Sequence, residues 1–415
     1  MKLLWLCNSA PGVVRSAVTG KQVSAVNWVD HVLAGLRQQG FTIRILYRGQ
    51  GGEGCLDETC SYSSLGEPLA YLYRPELEEK FREELRTYQP DVIHSWGVEY
   101  EHTLAMVNAA EKEGMLPRMV ASIQGLCAVL AEHYCDGIPS GVQNRQTLRD
   151  VLRKDSIRRQ QEIFTLRGKL EAESVKKLHH VIGRTDWDHA HTTAWNPELV
   201  YHFCNETLRE PFYEGQWQYA GCRKHRIFAP GCSYPIKGFH HLLEAFGQIV
   251  KTYPDATLTV PGRSFLGGNL KEKLRRGSYE AYLAKLARKH HLEDKIKFLG
   301  SLSADGMKQA YLEANVFVLP STMENSPNSL GEAMLLGTPC VAHDVGGVRN
   351  LMEADTEGRI LPAGDTKALA ENIMELFAME EQASAMGQAA ACHARKTHDP
   401  EKNLRDLISI YESLQ

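Results

Sequence analysis

The run Pro320-Ser321-Thr322-Met323-Glu324-Asn325-Ser326-Pro327-Asn328-Ser329-Leu330-Gly331-Glu332-Ala333-Met334 sets two glutamates eight positions apart, just after the apolar stretch Val316–Leu319. Pro327 followed by Asn328 or Ser329 starts a helix well, because proline tolerates the first helical turn and a short polar side chain caps free N–H groups. Glu324 then lies in the loop and Glu332 within the first helical turns. The tip of such a helix offers unpaired N–H groups and the positive end of its dipole, a seat for a diphosphate. A carboxylate beyond it can accept hydrogen bonds from sugar or ribose hydroxyls. Two isolated glutamates read more simply as a loop acid and a solvated helix residue, so the surrounding elements must decide.

Those elements repeat. Short apolar runs at Lys2–Cys7, Thr42–Tyr47, Val92–His94, Arg118–Ile123, Val181–Gly183 and Leu199–Phe203 alternate with amphipathic stretches such as Val23–Gln39, Glu76–Tyr88 and a long one near Leu148–Leu178. After Gln216 a second series begins, with strands at Arg226–Ala229, Ala256–Val260, Ile296–Leu299, Val316–Leu319 and Thr338–Ala342. Its helices fall at His240–Tyr253, Tyr279–His290, Ser329–Leu336 and Thr366–Ala378. Strands alternating with helices imply parallel sheets covered on both faces. The pattern predicts an α/β protein of two Rossmann-like domains whose sheets face each other across a cleft, since open parallel sheets bind ligands at the carboxyl ends of their strands. The predicted boundaries are residues 1–209, a linker at 210–221, residues 222–398, and a last helix within 399–415 that returns to the first domain.

Composition excludes several classes. With 415 residues, 43% hydrophobic and 24% charged, the chain supports two domains, and disorder is disfavoured. A net charge of -4 offers no basic field for nucleic acid. The ten cysteines form no CxxC pair and no zinc-like spacing with histidine, so they read as reduced thiols. The apolar start breaks at Asn8, too short for a secretory leader, and no window reaches the eighteen or so apolar residues needed to span a bilayer. A cytoplasmic protein is expected, touching membrane only at its surface.

The glutamate segment resembles the E-x7-E signature of the retaining glycosyltransferases of family 4 (group 1), which adopt the GT-B fold. Its neighbours agree: Gly337-Thr338-Pro339-Cys340-Val341-Ala342-His343-Asp344-Val345-Gly346-Gly347 resembles the family's G-T-P-V-V-A-x-D-x-G-G run, and Lys237-Gly238 matches its lysine-glycine pair. The resemblance implies a retaining, metal-independent transfer of a sugar from a UDP- or GDP-linked donor to a glycan or lipid-linked acceptor, in polysaccharide or glycoconjugate biosynthesis, with no cofactor. It assigns Lys237 to the donor diphosphate, Glu324 to the transferred sugar, Glu332 to the ribose, and the N–H groups of Asn328, Ser329 and Leu330 to donor oxygens. The base is expected near Phe298 and Leu299. Lysine and helix tip together meet the charge that develops on the leaving phosphate.

The sequence departs from the family pattern at Cys232, where an arginine is usual. Arg263 and Arg184, each following a predicted strand, are candidate replacements. Towards the amino terminus, Gly12 follows the first strand and Thr19-Gly20 is expected to open the first helix, Gly12 near the donor phosphate and Gly20 on the acceptor side. The fingerprint G-x-G-x-x-G is missing there, which disfavours a hydride-transfer enzyme. His94, in a segment resembling the family's D-x-x-H, is expected at a strand end in the cleft, and Gln124 stands where the family has a histidine; glutamine can position a hydroxyl but cannot titrate. Asp186-Trp187-Asp188 has D-x-D metal spacing but reads better as a helix start capped by Thr185 or Asp186, and the histidine pairs lack partner ligands. Between Gly141 and Arg184, eleven Lys or Arg face five Asp or Glu, a solvated face or a dock for anionic lipid. A sugar-nucleotide epimerase of the same fold and a nucleotide-sugar-binding protein without catalysis are the rival readings.

Overall fold

The computed structural model describes residues 1–21, 28–67 and 69–415. They divide into two compact units: residues 1–131, 163–209 and 398–415 form the first, and residues 132–162 and 210–397 form the second.

The first unit holds β1 (Lys2–Cys7), β2 (Thr42–Tyr47), β3 (Glu53–Asp57), β4 (Cys60–Ser64), β5 (Val92–Trp96), β6 (Met119–Ser122), β7 (His180–Gly183) and β8 (Val200–Phe203), in the order β3-β4-β2-β1-β5-β6-β7-β8. All neighbours run parallel except the β3/β4 hairpin. Leu3, Leu4, Trp5 and Leu6 are all fully buried because helices cover both faces, which is why the inner strands read as apolar runs without alternation. The hairpin escaped the sequence reading because it is polar, sits at the sheet edge and carries no apolar run. The helix expected over Val23–Gln39 is seen as Trp28–Gln38; residues 22–27 lie outside the described residues. The last helix, Pro400–Ser413, is capped by Asp399 and contributes Leu407, Ile410 and Tyr411 to this unit's core.

The second unit holds β9 (Arg226–Phe228), β10 (Thr257–Val260), β11 (Ile296–Phe298), β12 (Val316–Leu319), β13 (Cys340–His343) and β14 (Arg359–Leu361), all parallel, in the order β11-β10-β9-β12-β13-β14. Strand β14, short and half-buried, was not foreseen.

Two expectations about organisation change. Residues 132–162, expected in the first domain, cluster with the second unit. The cause is local: the buried carboxylate of Asp150 accepts the Ser278 N–H at 3.0 Å, neutralising the start of helix Ser278–Lys289, and Thr147 Oγ1 donates to the Arg276 carbonyl at 2.9 Å. The long helix near Leu148–Leu178 is accordingly two, Leu148–Arg153 and Ile157–Lys177, separated at Lys154 with φ of 53°. The expected linker at 210–221 belongs to the second unit, where Phe212 packs edge-on against Tyr311 and Trp217 Nε1 donates to the Ala314 carbonyl at 2.7 Å.

In each sheet the chain winds outward from one strand and then returns to that strand's other side: β9 lies between β10 and β12, and β1 lies between β2 and β5. The loops leaving such paired strands diverge and open a crevice at their carboxyl ends.

Candidate functional site

In the second unit that crevice is bounded by residues 229–238 after β9 and residues 320–328 after β12. A 3-10 turn, Pro235–Lys237, ends on Gly238 with φ of 61°, where a Cβ would stand 1.7 Å from the Pro320 carbonyl oxygen. Only glycine permits that approach. The Thr322 N–H closes the junction by donating to the Ile236 carbonyl at 2.9 Å. Lys237 Nζ thereby meets Glu324 Oε1 at 2.6 Å, and Ser321 Oγ donates to the same oxygen at 2.7 Å. Burial pushes the Lys237 ammonium down, but Glu324 beside it more than offsets this and holds its pKa above the usual lysine value. The pair is a fixed cation and a fixed carboxylate on one floor.

Helix Asn328–Leu336 starts directly after Pro327 with no side-chain cap. The Leu330 and Gly331 N–H groups donate to the Pro327 carbonyl at 2.9 and 3.3 Å, so the Leu330 amide, expected to serve a ligand, closes the first turn instead. Glu332 is only 4% exposed; the Tyr311 hydroxyl lies 3.5 Å from Oε2 and donates to the Ser329 carbonyl at 3.0 Å. After β10, Gly262 N–H donates to the Gly300 carbonyl at 2.7 Å, joining the loop that carries Arg263 to the end of β11. Arg263 is exposed and pairs with Glu280 at 3.1 Å. Burial and then Glu280 push the Cys232 thiol up to about 12, so Cys232 and Arg263 share Glu280 as a neighbour.

Arg184 belongs to the first unit, is 6% exposed, and Nη1 donates to Glu206 Oε2 at 2.7 Å while Gln124 Nε2 donates to Oε1 at 2.7 Å. Both residues are thus held by Glu206, which the sequence reading overlooked. His94 is likewise corrected. It sits in the middle of β5, fully buried, with Nδ1 2.6 Å from the Tyr411 hydroxyl and Nε2 2.8 Å from Ser122 Oγ. Burial lowers its pKa to about 3, so it is a neutral core residue. Gly12 begins a helix, Gly12–Thr19, whose tip is already occupied: the N–H groups of Gly12 and Val13 donate to the Asp30 carboxylate at 2.9 and 3.0 Å. Gly20 ends that helix and does not open the next.

In the D-x-D motif, Thr185 Oγ1 caps the helix by accepting the Asp188 N–H at 3.0 Å, and buried Asp188 accepts the Tyr201 hydroxyl. Among the described residues, no group of three or more His, Cys, Asp or Glu side chains is arranged to hold a metal ion. Also missed was the first unit's crevice, where Asn8 after β1 donates to Glu99 after β5 at 2.7 Å, Arg48 and Arg167 lie over the Tyr100 ring, and Arg74 acts with them on the neighbouring Glu101. No motif spacing betrays it, because its residues come from five separate segments.

Residues 224–392 match the family model of the glycosyl transferases group 1. Among curated proteins, D-inositol 3-phosphate glycosyltransferase of Corynebacterium urealyticum is 28% identical over 179 residues, covering 43% of this chain and 41% of that protein. The amylovoran biosynthesis glycosyltransferase of Erwinia amylovora is 31% identical over 144 residues, 33% of this chain and 35% of the relative. These matches thus span less than half the length of either relative. Over the whole chain, sucrose-phosphate synthase from Thermosynechococcus elongatus superposes with a TM-score of 0.71 at 18% identity, covering 100% and 99% of the two chains. Anabaena HepE in complex with UDP and glucose superposes with a TM-score of 0.69 at 15% identity, covering all of both chains. The fold is that of the GT-B glycosyltransferases.

Proposed function

We propose that this protein is a retaining glycosyltransferase of the family 4 type that moves a sugar from a UDP- or GDP-linked donor to a glycan or lipid-linked acceptor. The observation that carries the reading is the Lys237–Glu324 pair beside the uncapped tip of helix Asn328–Leu336. A nucleotide diphosphate leaving group gains negative charge as the glycosidic bond breaks. Lys237 and the helix tip face that charge without a metal, and Glu324 can accept from hydroxyls of the transferred sugar. Arg263 supplies the second cation in place of Cys232, and Glu332 serves the ribose. The relatives' names, an inositol phosphate glycosyltransferase and an amylovoran biosynthesis enzyme, favour polysaccharide or glycoconjugate assembly as the setting.

Incubation with labelled UDP- and GDP-sugars, with and without acceptor glycans and with EDTA, tests this. Acceptor-dependent transfer with the donor's anomeric configuration, undiminished by EDTA, is expected. Epimerised sugar without acceptor, or binding without turnover, would replace the reading by one of its rivals.

Peripheral attachment of a cytoplasmic enzyme to anionic membrane through the basic segment 141–184 has support as well. No helix among the described residues is long and apolar enough to cross a bilayer. Helix Leu148–Arg153, however, exposes Leu148 (61%), Val151 (56%) and Leu152 (75%) beside exposed Arg145, Arg153 and Lys154. Apolar side chains ringed by cations suit an interfacial contact. Co-sedimentation with phosphatidylserine vesicles at low salt, lost when the three apolar residues become serine, is the expected result; no binding by the native chain would reject it.

A further inference from the structure

At the amino-end edge of the second unit's sheet, away from the donor crevice, the surface is hollowed into a recess of about 310 Å³. Its floor is Gly337, which ends helix Asn328–Leu336 with φ of 74° and leads into β13. That helix is roughly 13 Å long at about 1.5 Å per residue, so the donor tip and the recess lie at its opposite ends. A Cβ on Gly387 would stand 2.1 Å from the Gly337 carbonyl oxygen, so glycine there lets helix Glu380–Thr397 lie directly against the floor.

Two walls carry the polar groups. Glu380, Ser384 and Gln388 are spaced four apart and therefore share one face of that second helix. The other wall is the segment 216–220. Trp217 turns inward, 5% exposed, its backbone N–H donating to the Leu336 carbonyl and Nε1 to the Ala314 carbonyl, both at 2.7 Å. Its exposed neighbours Gln216 and Gln218 are thereby fixed at the rim. Half-buried Tyr219 closes the wall, with its hydroxyl donating to the Phe377 carbonyl at 3.4 Å and its ring edge-on to Trp217 at 6.3 Å. The lining is thus rich in groups that both donate and accept, three amides and a hydroxyl. It holds one carboxylate, Glu380, and no cation, while Lys224 stands over the Tyr219 ring at 5.4 Å. Such a balance of charge gives no preference for an ion. Small-ligand pockets start at about 300 Å³, and a rigid recess of paired donors and acceptors beside an aromatic ring suits a neutral, hydroxyl-rich molecule.

We infer that this recess binds a segment of a neutral oligosaccharide, its hydroxyls paired with Gln216, Gln218, Ser384 and Gln388 and with the Glu380 carboxylate. Lying at the far end of the helix from the donor tip, it holds the glycan without taking part in the chemistry. That the glycan is the one being extended rests on the glycosyltransferase reading; the saccharide site does not.

The test is an array of neutral glucan, mannan, galactan and N-acetylglucosamine oligomers, with acidic glycans beside them, probed with the full chain carrying Lys237→Ala so that the donor crevice is weakened. Retention of a neutral class is expected. Calorimetry on the retained oligomer should then show affinity falling about ten-fold with Gln388→Leu and with Gln218→Leu, because each leaves a sugar hydroxyl unpaired. Ser384→Trp, which fills the recess, should abolish binding. Gln218 and Gln388 are exposed, so these two variants keep the fold and serve if the tryptophan does not, with circular dichroism as the check. Retention of no glycan, retention of acidic glycans alone, or affinity indifferent to Gln218 and Gln388 overturns the site. Glycan binding without transfer from any nucleotide sugar removes the glycosyltransferase reading and leaves the site; transfer without glycan binding does the reverse.

Discussion

The two sheets share one topological device, a central strand flanked by chain leaving in both directions, yet their crevices are furnished in opposite ways. In the second unit a lysine and a glutamate from neighbouring strand ends meet at 2.6 Å beside an uncapped helix. In the first, buried carboxylates fill two of the four helix tips, and the other two helices have no side-chain cap but carry acidic residues in their first turns. Topology fixes where a ligand can sit in a parallel sheet. The charge left over once the protein's own side chains have paired decides what kind.

Lys237→Ala is the strongest way to break that contrast. If the cation meets charge developing on a departing diphosphate, kcat/KM should fall by about 10² to 10³-fold. The fold should survive, since Ser321 still supports Glu324. A kcat/KM within three-fold of native would place the chemistry elsewhere.

The next effect is on stability and separates Arg184 from the donor site. Arg184→Ala leaves Glu206 buried with only Gln124, so unfolding should become easier by about 3–5 kcal/mol. Nucleotide affinity should be unchanged. A marked loss of nucleotide affinity in a still-folded variant would return Arg184 to the donor.

These expectations show where the sequence was legible. Glu324, Asn328 and Glu332 lie on one contiguous motif and Lys237 on a second; their resemblance to family motifs singled them out, while local patterns placed the strand, turn and helix tip around them. Inner strands such as β1 and β12 announced themselves because burial on both faces demands unbroken apolar runs. The pairing of Arg184 went unseen, and His94 misled, because a polar residue at a strand end looks the same in sequence whether or not it is paired. Their partners, Glu206 and Tyr411, lie 22 and 317 positions away. Arg48 and Arg167 stayed hidden for the same reason: they meet over the Tyr100 ring from segments 52 and 67 positions away in sequence, which only the folded structure can reveal.

A pH measurement sharpens the division between buried and ligand-facing groups. Burial lowers the pKa of His94, His102 and His240 to about 3 and that of His343 to about 4. Folded, they stay neutral; unfolded, they take up protons below the ordinary histidine value of 6.5. Stability is therefore lost as pH falls from about 6.5 towards 4, by up to about 1.4 kcal/mol per pH unit for each histidine. Glu171 acts oppositely: raised to about 8, it favours the fold at lower pH and loses its contribution as pH rises through 8. Urea unfolding at pH 7 and pH 5 should show a smaller difference for His94→Gln than for the native chain. An equal difference would mean that His94 titrates in the fold.

The smallest effect concerns Arg263. Its side chain is 63% exposed and, among the described residues, tethered only to Glu280, so solvent screens it. Arg263→Ala should raise the donor KM by about five-fold, roughly 1 kcal/mol, with kcat little changed. At about 1 M salt, where screening acts within about 3 Å, that difference should vanish, while the defect of Lys237→Ala, on a partly buried and directly paired cation, should persist. A salt-independent defect at Arg263 would instead give it direct, desolvated contact with the donor. It would then match Lys237 in kind, and Cys232 would mark a relocated arginine, not a lost one.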